Sequence, residues 1–280
     1  LEPPVIDQLR RTLEGQVLLA HVMGRSRSWL LAHPEVSLTP EQEQALETVV
    51  RQREAGVPLP YILGHWEFFG LDFNVSPEVL IPRPETELLI ETALAWARTH
   101  PPLGPCYRFI DIGTGSGIIP VTLAVHVPSA EITAIDISPA ALAVARQNAE
   151  KHGVEGRIRF IKANLLEYSI FNNSNTRIFD VLTANLPYIP TETLKTLEIF
   201  GREPTLALDG GPDGLQLIRR LLDDITARTV SARLILLEIE NRQGAAVEAL
   251  ARQHFPAADI EIKKDLAGHD RLAVILLSNV

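Results

Sequence analysis

At 280 residues the chain has room for one large domain or for a small one beside a standard one, and a 46% hydrophobic content is ample for a real core. A net charge of −9 excludes a global positive field that would gather nucleic acid, and a single cysteine, Cys106, excludes an internal disulfide. The eight histidines show no ligand spacing, no run of about 18 uninterrupted apolar residues occurs, and the start has no signal-peptide pattern, so the expectation is a cytoplasmic protein with no metal and no membrane span.

Val5, Ile6, Leu9, Leu13 and Val17 recur at three- and four-residue steps, which predicts an amphipathic helix with these five on its buried face. A short apolar helix around Trp29-Leu30-Leu31 follows. Thr39-Pro40-Glu41-Gln42 carries the start signals of another: Thr39 as N-cap, Pro40 in the first turn, Gln42 at the capping-box position, with Ala45, Leu46, Val49 and Val50 as its buried stripe. Residues 1–65 therefore read as a small helical bundle without chemistry of its own. From Trp66 to Val75, aromatic and β-branched residues flank Gly70 and Asp72, which predicts a β-hairpin and makes 66–83 a linker. Pro82-Arg83-Pro84-Glu85-Thr86-Glu87 then leads into a helix marked by Leu89, Ile90, Ala93, Leu94 and Trp96. Pro84 suits its first turn, and Glu85 and Glu87 suit the positive end of its dipole, so the acidic cluster reads as capping.

From Tyr107 the chain alternates strand, loop and helix. Strands are expected at 109–110, 131–135, 158–161, 181–185, 234–239, 260–262 and 272–277, with helices at 118–125, 139–152, 215–226 and 244–253. Such alternation argues for an α/β fold over 84–280, a mostly parallel sheet covered on both faces with an antiparallel member at the end. The polar Asn172-Asn173-Ser174-Asn175 reads as a loop.

Asp111-Ile112-Gly113-Thr114-Gly115-Ser116-Gly117 lies between a strand and a helix, where missing side chains let a ligand approach the backbone. A dinucleotide fingerprint needs a third glycine or alanine three positions after the second. Ile118 stands there, which disfavours NAD or FAD. Asp136 ends the next strand about 20 residues on, where a carboxylate can accept both hydroxyls of a ribose. The cofactor then needs a ribose but no pyrophosphate, and S-adenosylmethionine answers that description, its amino-acid end on the loop and its adenine near Asn164 and Leu165. Asp111 either orients the ligand's ammonium or braces the loop.

The stretch Asp180 to Ile189 reads as a buried strand ending in a rigid corner, Asn185-Leu186-Pro187-Tyr188, because Pro187 cannot donate to a sheet ladder. Asn185 offers a carbonyl acceptor and two N–H donors, Leu186 a backbone acceptor, and Tyr188 a flat face, a set able to hold a planar NH2 group. An Asx-type turn that merely closes the strand is the competing reading.

On these residues the sequence resembles the PrmC/HemK family of protein-glutamine N5-methyltransferases. The likeness runs through Tyr61-Ile62-Leu63-Gly64, Phe69-Gly70, Leu80 to Glu87, the loop 111–117, Asp136, Glu203-Pro204, Ala207 to Gly211, Asp213-Gly214-Leu215 and Asp265 to Gly268. It implies a Rossmann-like seven-stranded S-adenosylmethionine-dependent methyltransferase domain behind an N-terminal helical bundle that grips the partner and a β-hairpin linker. It implies methyl transfer to the glutamine of a Gly-Gly-Gln segment in class 1 peptide chain release factors, with S-adenosylhomocysteine as product and the enzyme acting as a monomer. By the same likeness Gly113, Thr114, Gly115, Ser116, Gly117, Asp136, Asn164, Leu165 and Asn185 hold the cofactor, and Asn185, Leu186, Pro187 and Tyr188 the substrate, with Asn185, Pro187 and Tyr188 catalytic.

Two positions depart from the family pattern. Leu186 replaces a proline, keeping the carbonyl but losing the ring's rigidity, and Asn164 stands where an acidic residue is usual. Asn-Leu-Pro-Tyr is also similar to the corner of ribosomal RNA adenine N6-dimethyltransferases. A ribosomal-protein glutamine methyltransferase, an adenine N6-methyltransferase on RNA or DNA, and a non-enzymatic adaptor therefore stay open, although the acidic composition argues against nucleic acid.

Overall fold

The computed structural model describes residues 8–167, 177–227 and 230–277; the expected loop at Asn172–Asn175 lies outside them. Contacts divide the chain into two units, Leu1–His65 and Trp66–Val280. In the first, α1 (Leu13–Met23), α2 (Arg27–Ala32), α3 (Pro40–Glu54) and α4 (Leu59–Leu63) surround a core of Leu18, Leu19, Leu30 and Leu46. The capping box at α3 forms as expected: Gln42 N–H donates to Thr39 Oγ1 at 3.3 Å, and Thr39 N–H donates to Gln42 Oε1 at 3.0 Å. The buried face of the first helix is corrected. Val5 and Ile6 lie outside the described residues, the helix bends at Thr12, and Thr12 caps a new start through the Gly15 amide. That break resets the helical phase, so Leu13 is 63% exposed while Leu18 and Leu19 are buried.

In the second unit, β1 (His65–Phe68) and β2 (Leu71–Asn74) form the expected hairpin. Its two-residue turn places Phe69 at φ 54° and Gly70 at φ 72°, a hand that matches the twist of paired strands. A single 3₁₀ turn, Pro84–Thr86, runs into α5 (Glu87–Thr99). There follow β3 (Tyr107–Ile112), α6 (Ile118–His126), β4 (Ala130–Asp136), α7 (Pro139–Lys151), β5 (Ile158–Lys162), β6 (Arg177–Ala184), α8 (Thr191–Leu194), α9 (Gln216–Thr226), β7 (Val230–Glu238), α10 (Gly244–His254), β8 (Asp259–Lys264) and β9 (Asp270–Leu276).

The seven strands β3 to β9 make one sheet in the order β5-β4-β3-β6-β7-β9-β8. β3 to β7 run parallel, and β9 lies antiparallel to both β7 and β8. Successive strand residues enter opposite cores: Phe109, Val181 and Leu234 join one buried cluster, and Ile110, Leu182 and Ile235 the other. This is why these strands read as continuous apolar runs rather than alternating ones.

Topology also fixes where a ligand can sit. From β3 the chain steps outward through β4 to β5, then returns to place β6 on the other flank of β3. The connections leaving β3 and β6 therefore diverge at their carboxyl ends, beside Ile112 and Ala184, and leave a crevice between them.

Candidate active site

A cavity of about 860 Å³ opens at that crevice, between the loop after β3 and the corner after β6. Gly113, Thr114, Gly115 and Ser116 line it, with Asp136 from the end of β4, Asn164 and Leu165 after β5, and Asn185, Leu186 and Pro187 after β6. The residues expected from the sequence are thus drawn to one place, with two exceptions. Gly117 is off the cavity wall. A side chain there would stand 3.0 Å from Ala145 Cβ, so its missing side chain serves the packing of the loop on α7. Tyr188 is also off the wall, because its hydroxyl turns to a buried carboxylate, Glu238.

The loop's own hydrogen bonds decide which ligand it suits. Gly113 and Thr114 N–H donate to the Ile135 carbonyl at 2.8 and 3.0 Å, Gly115 N–H to Asp136 Oδ2 at 2.8 Å, and Gly117 N–H to the Thr114 carbonyl at 2.8 Å. Those amides are engaged within the protein, so the loop lacks the fan of N–H groups that wraps a pyrophosphate. Gly115, at φ 55°, has nothing within 4 Å of where a side chain would begin and so gives bare backbone to the cavity.

Beneath the loop Asp111 is 1% exposed and accepts from the Thr183 hydroxyl at 2.7 Å through Oδ1. Its Oδ2 and the Thr114 Oγ1 on the cavity wall are buried without a partner among the described residues. Burial pushes Asp111 up to about 6, with the nearby Thr114 hydroxyl and the Thr183 hydroxyl pulling the other way. Asp136 is held by two backbone amides, Gly115 N–H on Oδ2 and Ser138 N–H on Oδ1, both at 2.8 Å. Each oxygen keeps one further lone pair, which fits a vicinal diol. Burial raises its pKa, opposed by those same amide bonds. Asn164 Oδ1 accepts from Arg220 at 3.4 Å, and Leu165 is held in the left-handed region at φ 54°, a strain of about 1–2 kcal/mol located on the cavity wall.

The corner after β6 is built from both sides. Leu186 is 4% exposed, and its Cδ2 would lie 3.0 Å from a β-carbon on Gly113, so the leucine replaces a proline's rigidity with packing against the loop. Behind the corner, Gln243 donates to the carbonyls of Tyr188 at 3.0 Å and Gly214 at 3.2 Å. A side chain on Gly214 would sit 2.2 Å from the Tyr188 oxygen, which explains a glycine at that point of the Asp209 to Leu215 block. Asn185 Nδ2 donates to Thr86 Oγ1 at 3.1 Å, and the Thr86 hydroxyl donates to Glu238 Oε2 at 2.7 Å. Among the described residues no hydrogen bond is donated to Asn185 Oδ1 or to the Leu186 carbonyl, and both residues line the cavity.

Thr86 and Glu238 are the site residues that sequence reasoning missed. Glu85 and Glu87 do stand in the first turns of the 3₁₀ turn and α5, but the cluster makes no capping hydrogen bond: neither element has a side-chain cap bond, Thr86 is fully buried, and Glu87 accepts from the Phe69 amide at 3.4 Å. Glu203 pins the same block over the cavity, accepting from Ile81 N–H at 3.2 Å and from the Arg83 guanidinium. The available signal for Glu238 was a carboxylate closing an apolar strand. The register Ala184↔Leu237 sets it beside Asn185, one strand over.

Comparison with known proteins meets this geometry. The PrmC N-terminal domain description matches residues 8–64, and a methyltransferase domain description matches 104–223. The release factor glutamine methyltransferase of Moorella thermoacetica is 42% identical over 265 residues, covering 94% of this chain and 90% of its own. This chain belongs to the release factor glutamine methyltransferase family. Its counterparts of the same name in Bordetella pertussis and Bacillus subtilis are 39% and 37% identical, covering 93% and 94% of this chain and 93% and 90% of theirs. The fold of this family member also matches human methyltransferase 10 domain containing protein (TM-score 0.54, 20% identity, 86% and 98% covered). The N-terminal domain of human METTL16 in complex with SAH gives a TM-score of 0.53 at 20% identity, with 85% and 82% covered. At that identity the two human structures speak for the fold alone.

Proposed function

We propose that the chain transfers a methyl group from S-adenosylmethionine to the side-chain amide nitrogen, N5, of the glutamine in the Gly-Gly-Gln motif of class 1 peptide chain release factors. The observation that carries this reading is the Asn185 amide, whose nitrogen is engaged by Thr86 while its oxygen and the Leu186 carbonyl accept no hydrogen bond among the described residues, both residues lining a cavity shared with the glycine loop. The relatives in Moorella thermoacetica, Bordetella pertussis and Bacillus subtilis carry the name release factor glutamine methyltransferase, which points to the same substrate.

The residues fit the cofactor. The bare backbone at Gly115 and the adjoining Gly113, Thr114 and Ser116 suit an amino-acid end with an ammonium, and Asp111, buried off the cavity wall, supplies negative charge from beneath the loop. Asp136 takes the ribose diol, and Asn164 and Leu165 flank the adenine. When bound, S-adenosylmethionine supplies a methyl group on a sulfonium, an electrophile that needs only an aligned nucleophile. A glutamine nitrogen is a poor nucleophile because its lone pair is delocalised into the carbonyl. Asn185 Oδ1 and the Leu186 carbonyl each accept one of its N–H bonds and so hold the nitrogen on line, with Pro187 bounding the amide. Catalysis then rests on positioning in a dry, oriented site, and the proton that the nitrogen loses on gaining the methyl leaves after transfer without a dedicated base. Tyr188 supports the corner from behind and is no base, since burial and the neighbouring Glu238 push its pKa far above the usual tyrosine value.

Residues 1–65 serve as the grip on the release factor, 66–83 as the linker and 84–280 as the catalytic domain, acting as a monomer in the cytoplasm on translation termination. Among the described residues no helix is long and apolar enough to cross a membrane. The test is mass spectrometry of a class 1 release factor incubated with the protein and S-adenosylmethionine, with ribosomal RNA and ribosomal proteins as parallel substrates. One methyl on the Gly-Gly-Gln glutamine is the expected product; methylation of an RNA adenine, or of a ribosomal-protein glutamine in preference, overturns the proposal.

A further inference from the structure

We propose that Glu238, acting through Thr86, fixes which way round the Asn185 amide sits and so keeps its oxygen rather than its nitrogen turned to the substrate. The inference rests on the reading of Asn185 as the acceptor for the substrate's N–H, and it concerns positioning, because Glu238 itself does not line the cavity.

An asparagine amide is nearly symmetric in shape, and packing alone does not tell its oxygen from its nitrogen. Something must break that symmetry if the site needs an acceptor. Thr86 is fully buried and has one proton. A carboxylate only accepts, so at 2.7 Å Glu238 Oε2 takes that proton's hydrogen bond and leaves Thr86 Oγ1 with lone pairs alone. Only an N–H can then face Thr86, at the observed 3.1 Å, and Oδ1 is left for the cavity. The order is forced along the chain: carboxylate, hydroxyl, amide nitrogen, amide oxygen.

Stability does not explain Glu238. It is 2% exposed, and among the described residues it forms no direct ion pair. Arg271, on the neighbouring strand, is engaged by Asp265 and assists only at a distance. Glu85, on the turn that carries Thr86, is a like charge, and the Tyr188 hydroxyl reaches Oε1 at 3.4 Å. A buried carboxylate in such company costs stability, and a specific orienting role accounts for its place.

The arrangement has a switch in it. Burial pushes Glu238 up to about 7, against the Thr86 hydroxyl and Arg271. Once protonated, Glu238 can donate to Thr86 Oγ1, the Thr86 proton turns toward Asn185, and the amide rotates to accept it. The NH2 group then meets the substrate's own N–H groups, donor against donor.

The experiment compares wild type with Thr86→Val, Thr86→Ser and Glu238→Gln. The first readout is the side-chain ¹⁵N–¹H₂ signal of Asn185 in the cofactor-free protein, assigned through Asn185→Ala and followed against pH. In the wild type and in Thr86→Ser it should move with a midpoint near 7; in Glu238→Gln and Thr86→Val that step should vanish. The second is kcat on a release factor against pH, where Glu238→Gln and Thr86→Val should fall roughly ten- to a hundredfold, the size of one misoriented hydrogen bond. Glu238→Gln should also lose the acid limb, and Thr86→Ser should restore rate and profile. Calorimetry with S-adenosylmethionine should give all four proteins similar affinity. An Asn185 signal indifferent to pH, or wild-type signals and profiles in Glu238→Gln, overturns the inference. Should the release factor prove not to be the substrate, the spectral arm still decides the orientation by itself.

Discussion

Gly113 and Leu186 are in contact across the crevice: a β-carbon on the glycine would lie 3.0 Å from the leucine's Cδ2. The loop after β3 and the corner after β6 are thereby packed as one unit. Truncating Leu186 to alanine leaves a hole where the two meet and should cost about 2–4 kcal/mol in denaturant unfolding. Because the Leu186 carbonyl survives that change, the loss of activity should track the loosened corner, appearing in kcat and in the KM for S-adenosylmethionine together. An Ala variant with wild-type stability would show that the contact is incidental.

Asn185→Ala removes the side-chain acceptor without touching the loop. The expected outcome is a fall in kcat of roughly 10²–10³, the magnitude seen when one oriented polar group is deleted from a site, with S-adenosylmethionine affinity largely kept. Asp136→Ala should do the reverse, weakening cofactor binding in calorimetry, since it removes the diol acceptor and also frees the Gly115 and Ser138 amides it now holds at 2.8 Å.

Much of this site could be read before the fold was known, and the reason is local. Gly113, Gly115, Asp136 and Asn185 each sit at the end of a strand, and strand ends are legible from apolar runs and breakers. The network behind Asn185 was not legible, because it joins residues far apart in sequence: Thr86 lies 99 residues from Asn185, and Glu238 lies 152 from Thr86. A threonine before Glu-Leu-Leu reads as a helix start, and only the β6–β7 register reveals that a strand-end carboxylate faces it. Gly117 and Tyr188 were misplaced for a related reason. Backbone pattern locates a residue at the site without telling whether it meets the ligand or the scaffold, and here Ala145 and Glu238 claim them.

The glycines provide a sharp contrast. Gly115→Ala and Gly214→Ala both place a side chain at positive φ, 55° and 75°. That strain costs about 1 kcal/mol in each. At Gly115 the space is open, so the variant should fold with only that loss yet bind S-adenosylmethionine poorly. At Gly214 the new carbon would stand 2.2 Å from the Tyr188 carbonyl oxygen, so the corner itself must shift. Thermal unfolding paired with cofactor titration separates the two: a stable non-binder for the first, a destabilised protein with impaired turnover for the second.

Two buried carboxylates should give the cofactor-free protein an unusual pH dependence. Asp111 is raised from 3.8 to about 6 and Glu238 from 4.5 to about 7, in both cases chiefly by burial. The folded state therefore holds these protons where the unfolded chain has released them. Their contribution is fully present below about pH 4 and is lost as pH rises through 6 and 7, by an amount on the order of 3 kcal/mol for each group. The sign is opposite to that of Asp209, Asp213 and Asp265, whose pKa values are lowered by hydrogen bonds and whose contribution fades only in acid. Stability by denaturant titration should accordingly fall between about pH 4 and pH 7 and level off above. Glu238→Gln removes one of the two groups, so its stability curve should be flatter across about pH 5–7 and should lie above wild type at pH 8, in the same variant that loses turnover. A Glu238→Gln protein whose stability falls with pH as steeply as wild type would mean that Glu238 ionises as freely in the folded protein as in the unfolded chain.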